Sequence, residues 1–307
     1  MKKTLRLRKS IEVYCTDMLW SFAKPGFIAS IVVPWISSMS TLFLSGQAMA
    51  GVIFQDNFST GDISKKLNGV AFWTDNSSNY QQPSATKLST ITVQPEAAGG
   101  YSLRALYAGT TNPAEGARPE LRFNLGGQYP EYWVSFDLFI PLNYTHRIGN
   151  PVSNDKFFIT DNNVGSQFID RETFPDYSYG SGVDVGSTQL KYNGVNYGFQ
   201  GPASTWQFVS AADRGTWAHY VLHHKVATSA TSNDGVAQTW KNGALVQSFT
   251  NFPNYTPGAN YFEEGYIFGA SNSGFAVDTE LRLDNIVFSD SPVGTSAPAA
   301  PDNLMVR

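Results

Sequence analysis

The chain is poor in the residues that staple or clip a protein together. Its single cysteine is Cys15, so no intrachain disulfide and no multi-thiolate metal site can form. Histidine is scarce as well: His146, His219, His223 and His224 are all there are, with no further ligand beside them at zinc-site spacing. A basic excess is also missing. The chain carries 21 Lys and Arg against 25 Asp and Glu, a net charge of −4. Residues 1–50 hold six of the basic and two of the acidic side chains, so from residue 51 onward the counts are 15 and 23, a net of −8. That balance excludes nucleic acid as a partner, since its binders present a basic surface. Internal repeats and charge runs are absent, and from residue 51 on so is helical periodicity with caps.

What is present begins with a basic N-terminus, Met1 to Lys9, then an apolar stretch from about Phe27 to Leu44 and the small-residue run Ala48-Met49-Ala50. This order describes a secretory signal, residues 1–50, cleaved after Ala50. Pro34 and the serines 37, 38 and 40 break the apolar stretch, which argues against a membrane anchor. The reading is of a secreted, extracellular or periplasmic monomer with no membrane association in its mature form. Without disulfides it must be held by an ordinary hydrophobic core.

From residue 51 the patterning has period two. Tyr132–Ile140, Lys156–Thr160, Gln189–Tyr192, Trp217–Val226, Val236–Trp240, Gly265–Ala270 and Leu281–Phe288 read as strands. Gly126-Gly127, Asn193-Gly194, Asp234-Gly235 and Asn242-Gly243 mark turns, because these residues tolerate positive φ. Many short strands in one chain of this length predict an all-β, two-sheet antiparallel jelly roll over residues 51–290. A Pro/Ala-rich tail follows, 291–307. The end strands Val52–Phe58 and Leu281–Phe288 are expected to pair and close a sheet edge.

The most informative run is Arg118-Pro119-Glu120-Leu121-Arg122-Phe123. On a strand the three charges share one face and Leu121 and Phe123 the other. Such a face is either a solvated sheet surface or the floor of a polar binding groove. A second constellation is Trp217 to Lys225, where His219 and His223 share a face with Val221 and could move protons. His146 lies in a loop.

Phe54-Gln55-Asp56-Asn57-Phe58 and Leu283-Asp284-Asn285-Ile286 resemble the bracketing strands of the concanavalin A-like lectin/glucanase jelly rolls. Gly215-Thr216-Trp217 and the hairpin from Asp234-Gly235 to Trp240-Lys241-Asn242-Gly243 resemble that superfamily's middle strands. Within it, Arg118-Pro119-Glu120-Leu121-Arg122 resembles the R-x-E-L-R strand of the jelly-roll polysaccharide lyases, alginate lyases and heparinase-like enzymes among them. The resemblance implies β-elimination on a uronic-acid polysaccharide. Arg118 and Arg122 would face the sugar carboxylate and Glu120 would orient them. The proton carrier would be His219, His223, Tyr192 or Tyr197. Asn154, Lys156, Gln189 and Lys191 would line the same groove and Trp206 would stack on sugar. The chemistry requires no cofactor; Asp56 and Asp284 are the residues that would hold a structural calcium. One departure is plain: Tyr266 to Ser273 takes the place of the alginate lyases' Y-F-K-x-G-x-Y-x-Q strand without its Lys or second Tyr. The alternatives are a non-catalytic, lectin-like or adhesion module, and a glycoside hydrolase, although no E-x-D-x-x-E run is present.

Overall fold

Among the described residues there are seventeen strands, numbered in chain order: β1 Val52–Asp56, β2 Lys66–Leu67, β3 Val70–Ala71, β4 Trp73–Asn76, β5 Thr90–Pro95, β6 Tyr101–Tyr107, β7 Leu121–Tyr129, β8 Glu131–Ile140, β9 Asn154–Asp161, β10 Phe168–Pro175, β11 Gln189–Tyr192, β12 Val195–Phe199, β13 Thr216–Lys225, β14 Gly235–Lys241, β15 Ala244–Phe252, β16 Phe262–Ile267 and β17 Thr279–Ser289. The structure is a computed structural model and describes residues 51–76, 81–144, 154–161, 168–175, 189–192, 195–199, 211–271 and 274–295. For β10, β11, β12, Asp75–Asn76, Asn154–Lys156 and Ala211 that description is of the backbone. The signal reading, the tail beyond 295, His146 and Trp206 fall outside the described residues. Among those residues the only helical element is the 3-10 turn Ala211–Asp213, and no helix is long and apolar enough to cross a membrane.

Two antiparallel sheets carry the fold. One runs β15-β14-β13-β8-β17-β6-β5, with β1 also on β17; the other runs β10-β9-β16-β7-β4. The long strand β17 pairs with β6 through Thr279–Leu283 and with β1 through Ile286–Ser289, so the expected closure of first strand on last is present. Between the sheets lies one aromatic core. Phe123 of β7 meets Phe288 of β17 at 4.9 Å between ring centroids, and Phe157 of β9 meets Phe136 of β8 at 5.5 Å. Thirty-odd buried residues in one continuous cluster are what a domain without disulfides needs, at roughly 1.5–3 kcal/mol for each fully buried large apolar side chain. The architecture is the two-sheet jelly roll that the period-two patterning predicts.

Two local readings change. Asn242 and Gly243, both at positive φ (50° and 83°), do form the two-residue turn between β14 and β15. Gly126-Gly127, by contrast, lies inside β7. Gly126 takes φ 70°, its N–H donates to Asn124 Oδ1 at 2.8 Å, and the β7–β16 register shifts across the same stretch. The glycine pair therefore makes a bulge, not a hairpin. Strand β16 also lies earlier than Gly265–Ala270. It ends at Ile267 because Phe268 turns to φ 55°, while its N–H donates to Phe157 O at 2.9 Å.

Candidate active site on the outer face of the five-stranded sheet

The run-up to β7 is held at Ala117, which exchanges backbone hydrogen bonds with Ser271 at 3.0 and 2.8 Å. From there the alternation continues: Ala117, Leu121 and Phe123 enter the core, and Arg118, Glu120 and Arg122 take the other face. Arg118 sets its Nε and Nη2 3.2 and 3.0 Å from Glu120 Oε2. Arg122 sets the same two atoms 3.0 and 2.9 Å from Oε1. Each guanidinium thus commits one edge to one carboxylate oxygen. The Glu120 side chain is 3% exposed, while those of Arg118 and Arg122 are 42% and 40% exposed. Two charge-assisted pairs offset the desolvation of the buried carboxylate. The trio presents two cations to the outside over one concealed anion.

Arg122 stands opposite Tyr266 of β16, and Tyr266 stands opposite Ile159 of β9. The Arg122 guanidinium lies 5.6 Å from the centre of the Tyr266 ring, a cation–π distance. One row along, Asn124, Glu264 and Asp161 stand opposite one another on β7, β16 and β9. Burial pushes the Glu264 carboxyl above its ordinary pKa; the charge and hydrogen bond of Asp161 add to the rise, and Arg122 opposes it.

The structure separates residues that the sequence reading grouped. His219 and His223 lie on β13, which pairs with β8 and β14. Their side chains occupy the outer face of the eight-stranded sheet, across the core from Arg122. His219 Nδ1 is 2.7 Å from Asp137 Oδ1. His223 stacks on Trp133 at 3.9 Å, with Nε2 2.6 Å from Glu131 Oε1 and Nδ1 3.1 Å from Gln238 Oε1. These histidines are partners within their own sheet and do not reach the Arg118–Glu120–Arg122 face. The reason is general: alternation fixes which face of a strand a residue takes, not which sheet the strand joins.

The remaining candidates are less close to β7 than expected. Asn154 and Lys156 lie on β9, which β16 separates from β7. Gln189, Lys191 and Tyr192 lie on β11 and Tyr197 on β12, a separate two-stranded hairpin whose β11 packs beside β10. The side chains of all six are outside the described residues. At the other end, Asp56 is committed within the fold: Oδ1 accepts from Phe58 N at 2.9 Å and Oδ2 from Trp73 Nε1 at 3.1 Å. Asp284 accepts from Asn285 N at 2.7 Å. Among the described residues no three His, Cys, Asp or Glu side chains converge as a metal site, there or elsewhere.

Tyr266 and Asp161 are residues that the sequence reading did not select. The alternation of Glu264 and Tyr266 was visible in Phe262-Glu263-Glu264-Gly265-Tyr266-Ile267. Their pairing with Arg122 and Asn124 was not, because it joins strands far apart in the chain.

No family model matches this sequence, and no curated protein matches it. Solved structures do. An endo-β-1,4-glucuronan lyase from the fungus Trichoderma reesei superposes with a TM-score of 0.54 at 15% identity, covering 80% of this chain and 98% of that one. The alginate lyase vAL-1 from Chlorella virus gives 0.47 at 11% identity over 78% and 99% of the two chains. An alginate lyase, Aly36B, in complex with alginate tetrasaccharide, gives 0.42 at 18% identity over 61% and 80%. The likeness to the first of these shows a shared jelly-roll fold.

Proposed function

We propose that this is an exported polysaccharide lyase that cleaves a uronic-acid chain by β-elimination on the outer face of the five-stranded sheet. The observation that supports it is the Arg118–Glu120–Arg122 clamp, with a buried carboxylate locking two half-exposed guanidiniums into one orientation. Such a pair is suited to a sugar carboxylate. Neutralising that carboxylate acidifies the neighbouring C–H, so a base can take the proton. The electron pair forms the C=C bond as the glycosidic C–O bond breaks, and the leaving oxygen acquires a proton. Preorganised cations serve this step best because charge on the carboxylate grows in the transition state.

The proton carrier in this reading is a tyrosine. Tyr266 is placed within the face, beside Arg122, and Tyr192 and Tyr197 belong to the hairpin next to β10. A glucuronan lyase with this fold makes the reaction class a consistent one. Incubation of residues 51–307 with glucuronan, alginate, heparin and pectin, followed by the absorbance of the unsaturated uronate product, tests the proposal. A rise on one of them is expected. Binding without any rise would leave a lectin-like module instead.

A further inference from the structure

Beside the arginine clamp the face changes character within one cross-strand row. Arg122 and Tyr266 are followed, two residues along each strand, by Asn124 and Glu264, with Asp161 opposite Glu264 on β9. Two residues of an antiparallel strand span about 6.8 Å, so a sugar next to the one held by the clamp meets this second row. Glu264 and Asp161 are cross-strand neighbours, and Asp161 helps hold the Glu264 carboxyl above its ordinary pKa. Even when they share one proton they keep one negative charge, and without it they carry two.

We propose that Glu264 and Asp161 are specificity-determining residues that accept the hydroxyls of an uncharged sugar and repel a second carboxylate. The face would then select chains in which uronate alternates with an uncharged sugar over chains carrying a carboxylate on every unit. This inference rests on the clamp reading above and deepens it to a substrate class. A like charge against a partly buried anion is costly, whereas a carboxylate is a good acceptor for hydroxyls.

Groups of both signs stand around the pair. On β7 and the segment before it, Arg118 and Arg122 share Glu120. On β16 the neighbours are Glu263 and Tyr266, on β9 the acidic and basic residues are Asp155, Lys156 and Asp161, and on β4 Asp75 stands opposite Arg122. On β10, Asp170, Arg171 and Glu172 stand opposite Thr160, Ile159 and Phe158. Arg122 lowers the Glu264 pKa, and this effect is outweighed by burial and Asp161. Raising the pH removes the shared proton and should sharpen the discrimination.

The test compares hyaluronan, with a carboxylate on alternate sugars, and glucuronan, with one on every sugar. Affinity and turnover are measured from about pH 5 to about pH 8 for residues 51–307 and for the E264Q/D161N and E264Q variants, with melting curves as a folding control. The unmodified protein should prefer hyaluronan by at least about tenfold near pH 8, and less at the acid end. E264Q/D161N should lose the preference from both sides, gaining on glucuronan and losing affinity for hyaluronan, whose hydroxyls the two carboxylates accept. An unaltered preference in both variants, or preference for glucuronan at every pH, overturns the pair's role while leaving the clamp reading in place. Failure to bind either polymer overturns this inference, while the clamp reading stands or falls on the four uronate polymers named above.

Discussion

Glu120 sits beneath Arg122 with its Oε1 2.9 Å from Nη2, a carboxylate only 3% exposed under a guanidinium that keeps 40% of its side chain in solvent. The acid is sealed by the bases it orients. Arg118 repeats the contact on the other oxygen at 3.0 Å, so the carboxylate cannot lose one arginine without keeping the other.

That sharing decides what Arg122→Ala should do. The half-exposed guanidinium is more than a surface charge, because its removal leaves Glu120 Oε1 buried without that partner. A stability loss of about 1–3 kcal/mol is expected, with Arg118 still in place to keep the fold. Turnover on a uronate polymer should fall far more than affinity, because the lost charge acts mainly on the transition state. Chemical denaturation and a kcat against KM comparison check both. Equal losses in binding and turnover would make Arg122 a holding residue only.

Glu120→Gln probes the clamp from within. The amide keeps the shape but removes the charge that separates two guanidiniums, so both arginines should splay and the fold should lose on the order of 3 kcal/mol. Urea unfolding of the variant measures this. A variant as stable as the parent would mean that the arginines do not depend on Glu120.

Proton transfer can be assigned by substitution of single atoms. Tyr266→Phe removes one hydroxyl from a ring that is 6% exposed and should abolish turnover with little change in affinity. His219→Ala and His223→Ala, on the far sheet, should leave turnover intact at matched folding. Tyr192→Phe and Tyr197→Phe complete the set. If Tyr266→Phe retains full turnover and one of those two does not, the carrier belongs to the hairpin.

The distribution of what the sequence revealed follows from the physics of strands. Alternation is local, so the sharing of one face by Arg118, Glu120 and Arg122, and of another by His219 and His223, could be read directly. The pairing of Val52–Asp56 with the last strand was legible because both ends carry the same apolar pattern and jelly rolls close there. Sheet membership is not local. Nothing in Trp217 to Lys225 says that it pairs with Glu131–Ile140, and nothing in Glu264 says that it stands between Asn124 and Asp161. The bulge at Gly126 was hidden for a related reason: a glycine pair permits positive φ, and the neighbouring strand decides whether the chain turns or only bends.

Asp284 offers a test on the opposite sheet. Burial, with smaller contributions from the charges of Asp137, Glu96 and Asp56, raises its carboxyl to a pKa of about 6 against the Asn285 N–H, which favours the charged form. The unfolded value is near 3.8. Between the two, the folded chain binds more protons than the unfolded chain, so this group makes stability fall as pH rises from about 4 to about 6. Below that window both states are protonated and the effect is absent. Asp284→Asn keeps an acceptor for the Asn285 N–H and carries no charge. It should therefore raise the melting temperature relative to the parent above about pH 6, with the difference shrinking to nothing near pH 4. A difference that does not change with pH would show that the carboxyl is not the titrating group. A parent stabilised by added calcium at neutral pH, with the Asn variant indifferent to it, would instead place a cation on this carboxylate and reverse the sign of its contribution.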